Sequence, residues 1–341
     1  MRKFAQVLNL VVSYGLFGTS VFAQGTLTPP PGAISNGVPV AFMKTMNQIE
    51  PRIGISQLPF FINTPGSYYL TKSLIGSSGQ DGIIIDSDNV KLNLNGFALS
   101  GVPSSLAGIR VVNGPRHNIS IRNGVVADWD GDGIDAMIAH ESRLIDVTAF
   151  ANQMDGMKIG QNSLVRECGA FMNGGNGITA EQSSTIKDCK ARDNTMTGIF
   201  AQFGCKITDS LSGKNGSEGI RVMDYCVVKN CTVAENSGDG IQVRAKCRVV
   251  DNNCGNNATA AGVHVTGNGN RIDNNNVTDN LFGILVDDFA GGNLIVRNSA
   301  SGNTNNFWMG TAANQYGEIL SDLTGNFSNS NPWMNFSLPN P

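Results

Sequence analysis

The chain has 341 residues, among them 41 glycines, with 7% aromatic and 15% charged residues. That length allows one large domain or two average ones, and the composition is too apolar for a disordered chain while suiting many short strands joined by tight turns. A formal net charge of −3 gives no general attraction to nucleic acid, which is therefore not an expected partner.

Residues 1–23 read as a secretory signal. Arg2 and Lys3 make a basic start, Leu8 to Phe22 is broadly apolar, and Val21-Phe22-Ala23 ends in the small residue that signal peptidase favours. The apolar stretch is too short and polar-interrupted for a membrane anchor, and no later run is long enough to span a bilayer. Loss of Arg2 and Lys3 takes the 24 basic residues to 22 against 27 acidic ones. The mature chain is expected outside the cell, at its surface or in the periplasm. Residues 24–40, with Thr28-Pro29-Pro30-Pro31, form a stiff linker or an extended arm. Residues 41–80 are expected to cap the fold that follows, with Phe60, Phe61, Tyr68, Tyr69 and Leu70 as apolar cover.

From residue 81 to residue 306 the sequence repeats. Gly followed by an apolar residue recurs at Gly82, Gly108, Gly133, Gly156, Gly177, Gly198, Gly219, Gly240, Gly262 and Gly283. From Gly156 the steps are 21, 21, 21, 21, 22 and 21 residues, and Asn306-Phe307 is a weaker copy. Each repeat holds three short alternating runs, as in Gly219-Ile220-Arg221-Val222, Cys226-Val227-Val228 and Cys231-Thr232-Val233. Alternation means strands, and one such unit cannot bury its own apolar face whereas stacked units can. The predicted fold is an all-β, right-handed parallel β-helix of about ten three-strand coils spaced roughly 4.8 Å apart. Residues 307–341, with Phe307, Trp308, Trp333 and Phe336, are expected to cap its far end.

Two columns run through the repeat. Asn152, Asn173, Asn194, Asn215 and Asn236 are each 21 apart, with Asn257 next; stacked amides can bond along the rod, and Asn tolerates a left-handed corner. Cys205, Cys226 and Cys247 are also 21 apart, as are Cys168 and Cys189, whose column continues at Ser210 and Cys231. Stacked side chains point the same way at about 4.8 Å, beyond disulfide reach, so inward thiols packed as small apolar groups are expected.

The runs Met43 to Gly76, Val90 to Pro103 and Asn331 to Ser337 resemble a group of exported bacterial right-handed β-helix proteins. The resemblance implies the pectin-lyase-like superfold, which hosts polysaccharide lyases, glycoside hydrolases, uronate epimerases and non-catalytic surface proteins. No Asp-Asp pair is followed by Gly-His-Gly as in polygalacturonases, and the alginate epimerase Asp-Pro-His-Glu and the pectate lyase Arg-x-Pro-x-x-Arg are missing.

In relatives, sugar chains lie along one outward face. Here the middle residues of the Gly-Ile strands form an outward column: Arg110, Asp135, Lys158, Thr179, Phe200, Arg221, Gln242, His264 and Leu285. Asp132, Asp135 and Asp155 should gather beside Arg110 and Lys158. Such carboxylates either pair off as surface salt bridges, hold Ca²⁺, or share a proton as an acid/base pair. Asp128-Trp129-Asp130-Gly131-Asp132-Gly133 matches the first half of a calcium loop, with Asp128, Asp130 and Asp132 as ligands. Trp129 either stacks on a sugar ring or packs under a loop, and Arg221 and His264 are further candidate sugar contacts. The early coils are longer, with steps of 26, 25 and 23 residues, and only they have residues to spare for the walls of a groove. The expected function is binding of an extracellular polysaccharide there, with Ca²⁺-assisted lyase or hydrolase cleavage as its catalytic form. The alternative is a non-catalytic structural or adhesive rod.

Overall fold

The computed structural model describes residues 52–257, 259–321 and 331–338, together with the short strands Ile34–Ser35 and Val38–Pro39. The expected signal peptide, residues 41–51 of the expected cap and most of the linker lie outside the described residues. The chain divides into two units, 1–50 and 51–341. In the first, Ile34–Ser35 pairs antiparallel with Val38–Pro39.

The second unit is a parallel β-helix. Its first sheet has twelve strands, stacked in chain order from Phe60–Ile62 to Asn305–Trp308. The ten Gly-Ile rungs lie between these two, so the segments 41–80 and 307–341 each contribute to the ladder. A second sheet climbs from Ile53–Ile55 and Gly66–Leu70 through Leu164–Arg166 to Gln315–Tyr316. A third climbs from Leu74–Ile75 through Gly169–Phe171 to Ser299–Ser301 and Asn335–Ser337. Ser120–Ala127 and Arg143–Phe150 run through a corner and serve both. Among the described residues no helix is long and apolar enough to cross a membrane.

Alternation decides the core. In strand after strand the outer two residues point inward, as Ile109 and Val111, Ile178 and Ala180, or Ile241 and Val243, all at most 4% exposed. Each buried Ile or Val contributes roughly 1.5–3 kcal/mol, and apolar residues stack on one another from coil to coil, as Ile178 on Ile199 and Ile220 on Ile241.

The corners are built on one plan. At most of them a residue with left-handed backbone precedes an inward side chain that bonds to the neighbouring coil, while in the early coils Asn118 and Asp146 precede the apolar Ile119 and Val147. Before the Asn column these are Ala151, Met172, Asp193, Lys214, Glu235 and Asn256, with φ of 53–60°. The left-handed residue is thus the one before each column asparagine, and the asparagine itself turns its amide inward. Asn194 Nδ2 donates to Asn215 Oδ1 (3.0 Å) and to Ala170 O (3.1 Å), while its Oδ1 accepts from Asn173 N (3.1 Å) and Asn173 Nδ2 (2.9 Å). The repeat glycines are fixed by the same amides. A Cβ on Gly177 would sit 2.6 Å from Gly198 O and 2.7 Å from Asn194 Nδ2, so only hydrogen fits beside the column.

The two other corners carry the same device with changed residues. One column reads Ser142, Ser163, Ser184, Cys205, Cys226, Cys247, Asn270 and Asn293; Ser142 N donates to Ser163 Oγ and Cys247 N to Asn270 Oδ1. The other reads Cys168, Cys189, Ser210, Cys231, Asn252, Asn275 and Asn298, with Cys231 N donating to Asn252 Oδ1. All seven cysteines are buried free thiols. They are more than apolar filler: Cys226 Sγ reaches Gln202 O at 2.9 Å and Cys247 Sγ reaches Met223 O at 2.8 Å. Burial pushes the Cys231 thiol up to about 11.

Candidate functional site

The outward column forms as the alternation requires. Arg110 pairs with Asp135, Asp135 with Lys158, Lys158 with Thr179, and the series runs on through Arg221, Gln242 and His264. Its chemistry is set by a second column, the residue before each repeat glycine. One oxygen of that residue accepts the backbone N–H of its counterpart on the next coil: Asp81 from Ala107, Asp132 from Asp155, Asp155 from Asn176 and Asp239 from Ala261. The other oxygen takes an outward-column group. Asp132 bonds Lys158 Nζ at 3.0 Å, Asp155 bonds Thr179 Oγ1 at 2.9 Å, and Asp81 pairs with Arg110 at 3.3 Å.

The cluster Asp132, Asp135, Asp155, Lys158 and Arg110 is therefore brought together, as paired charges rather than facing carboxylates. Asp132 is only 4% exposed, and both its oxygens are occupied. Burial works against the Lys158 charge, but the bond to Asp132 and the charges of Asp132, Asp155 and Asp135 outweigh it and raise the ammonium above its ordinary value. A lysine held protonated in this way is a poor base. Asp135 differs from its neighbours: its one ion pair is with Arg110 Nε at 3.7 Å, beyond hydrogen-bond length, and that Nε has no acceptor.

Three expectations are corrected by the geometry. Trp129 is fully buried and cannot stack on a sugar. It occupies the first place in the Asn column, its N–H donating to Asn152 Oδ1 and its Nε1 to Leu99 O, under Gly76, Gly82 and Gly108, where added Cβ atoms would come within 2.3–2.9 Å of neighbouring atoms. Asp128, Asp130 and Asp132 do not form a calcium loop. Asp128 takes the left-handed corner (φ 61°), Asp130 accepts from Ser104 N, and Asp132 turns toward Lys158. Among the described residues no three acidic, His or Cys side chains converge as a metal-binding group, so these residues do not fit the ion. His264 is not open to a sugar either: Nδ1 lies 2.6 Å from Asp239 and Nε2 2.9 Å from Asp287. Burial alone would lower its pKa, but the two carboxylates lift it to about 9. The same bond holds Asp239 below the usual carboxylate range against its own burial. Arg221 does remain on the exposed face, 3.9 Å from Glu218.

Part of the extra length of the early coils makes a two-stranded ladder, Arg116–His117 on Ala139–His140, in which the two histidine rings meet edge to face at 5.6 Å. Sequence reasoning missed a depression of about 390 Å³ at the other end, lined by Arg271, Gln315, Tyr316, Glu318 and Trp333 among others.

Solved structures with the same fold include the A-module of the mannuronan C-5 epimerase AlgE6 of Azotobacter vinelandii, at 14% identity and a TM-score of 0.63 over 85% of this chain and 90% of that one. The AlgE4 A-module of the same organism matches at 14% identity and 0.62, over 76% and 89%. The Dettilon tailspike protein matches at 16% and 0.57, over 77% of this chain and 61% of that one. A comparison with curated proteins finds no match. The family described as "Right handed beta helix region" matches residues 60–226 and 219–330, and the chain belongs to that family.

Proposed function

We propose that the protein is exported and binds an extracellular polysaccharide along the outward face of its first sheet, at the N-terminal coils. The observation that carries this reading is the Arg110–Asp135 pair. It is the loosest contact of a cluster whose other carboxylates are fully engaged, and it stands on a half-exposed face. Grooves that recognise sugars need such polar groups with hydrogen-bonding capacity to spare. The likeness in fold to proteins named as mannuronan epimerases and a tailspike supports the same reading by analogy. If a bond is broken there, Asp135 is the carboxylate to carry it, since Lys158 is held protonated and Asp132 and Asp155 tie coils together. A second reading, the non-catalytic rod, is favoured by those same engaged carboxylates.

The test is to offer the protein a panel of neutral and uronate polysaccharides, with Ca²⁺ and with chelator. Retardation in affinity gels, unsaturated product and new reducing ends are followed together. Arg110→Ala with Asp135→Ala should weaken binding about tenfold or more. Unchanged binding in the double variant refutes this site, and silence across the panel selects the rod.

A further inference from the structure

The C-terminal depression lies on the outward side of the second sheet. Leu294 and Val296 line it, Tyr316 and Trp333 are each about half exposed beside it, and Arg271, Gln315 and Glu318 complete its rim. Its volume, about 390 Å³, falls in the range of small-molecule sites, roughly 300–1,000 Å³.

Its aromatic element is held in place. The Arg297 guanidinium lies over the Trp333 ring, 5.4 Å from its centre. Arg297 is anchored in turn by Asp273, which also binds Arg271 at 2.8 Å and whose side chain is 1% exposed. The bonds to Arg297 and Arg271 hold Asp273 ionised, below its ordinary pKa, against its burial. Two guanidinium groups are thus locked in position by one buried carboxylate, and one of them braces the indole. A fixed aromatic surface beside guanidinium, amide and carboxylate groups is the chemistry that recognises the apolar face and the hydroxyls of a pyranose ring. The formal charges of Arg271, Arg297, Asp273 and Glu318 cancel, so the site offers no net attraction to a uronate.

We propose that this depression is a second carbohydrate subsite, taking a neutral pyranose unit of a glycan. The proposal rests on the reading that the protein binds glycans, but it concerns the opposite end of the rod and a different sheet. The test uses the full chain with cello-, malto-, manno- and xylo-oligosaccharides, beside oligomannuronate, in titration calorimetry and tryptophan fluorescence. At least one neutral oligosaccharide should bind and shift the fluorescence. Trp333→Ala should weaken it about tenfold and remove the shift, while Trp333→Phe, which keeps a ring to stack on, should retain most of the affinity. Tyr316→Ala should weaken it as well, and circular dichroism checks that each variant is folded. Binding of uronates alone, or equal affinity in wild type and a folded Trp333→Ala protein, overturns the subsite. If glycans bind and only the Arg110 and Asp135 substitutions matter, the N-terminal reading stands and this one fails. If no glycan binds, both fail.

Discussion

His264 is clamped between carboxylates on two neighbouring coils, and that arrangement has a calculable pH dependence. Its folded pKa of about 9, against 6.5 for the unperturbed ring, corresponds to about 3 kcal/mol of stabilisation at about 1.4 kcal/mol per pKa unit. The folded value is raised, so the stabilisation is fully present below pH 6.5 and is lost as pH rises through about 9. His264→Gln removes the charge at every pH. Because coils of a solenoid open locally rather than all at once, the assay is hydrogen exchange across Ala261–Val265 and its neighbours, comparing variant and wild type at equal pH. Near pH 6 the variant should open roughly a hundredfold more often, and near pH 10 the two should converge. A difference that does not change with pH, or a His264 titration near the unperturbed value, refutes the reasoning.

Other substitutions probe the corners and the core. Asn194→Ala breaks four buried hydrogen bonds and should cost roughly 2–5 kcal/mol in urea unfolding, because partners on both neighbouring coils are stranded. Trp129→Ala leaves a cavity at the head of the Asn column and should cost about 3–5 kcal/mol, with the effect on thermal midpoint rather than on direct sugar contact. Cys226→Ser should stay within about 1 kcal/mol of wild type, since Ser184 fills the corresponding place two coils earlier and bonds Gly160 O in the same manner; a large drop in midpoint would mean that the thiol packs in a way a hydroxyl cannot.

The 21-residue period made the rung, the inward columns and the outward column legible, because a strand's side-chain alternation leaves little choice once the register is known. The function of the repeat glycine was not legible. Its sequence neighbours suggest a turn, yet Gly177 is required by an amide 17 residues away in sequence and one coil away in space. The shared plan of the corners was hidden because Ser, Cys and Asn replace one another along a column. The acidic cluster and its pairing with Arg110 and Lys158 as salt bridges were legible, but the backbone N–H groups of the next coil that take the second carboxylate oxygen were not. The C-terminal depression escaped for a related reason. Asn298 bonds Asn335, 37 residues on, so the period is broken where that site is built.

Along the Asn and Ser stretches of the corner columns the bonds run one way, a backbone N–H on one coil met by a side-chain oxygen from the coil that follows, while the acidic column runs the other way. The rod therefore has a direction of completion. As the chain is made from its first residue onward, each new turn supplies the corner acceptors its predecessor lacks, and the newest turn carries unmet corner donors. Buried donors tolerate neglect less well than buried acceptors. Removing turns from the C-terminal side should thus destabilise the remainder more than removing as many from the other side, and growth of the folded rod should keep pace with synthesis from one end only.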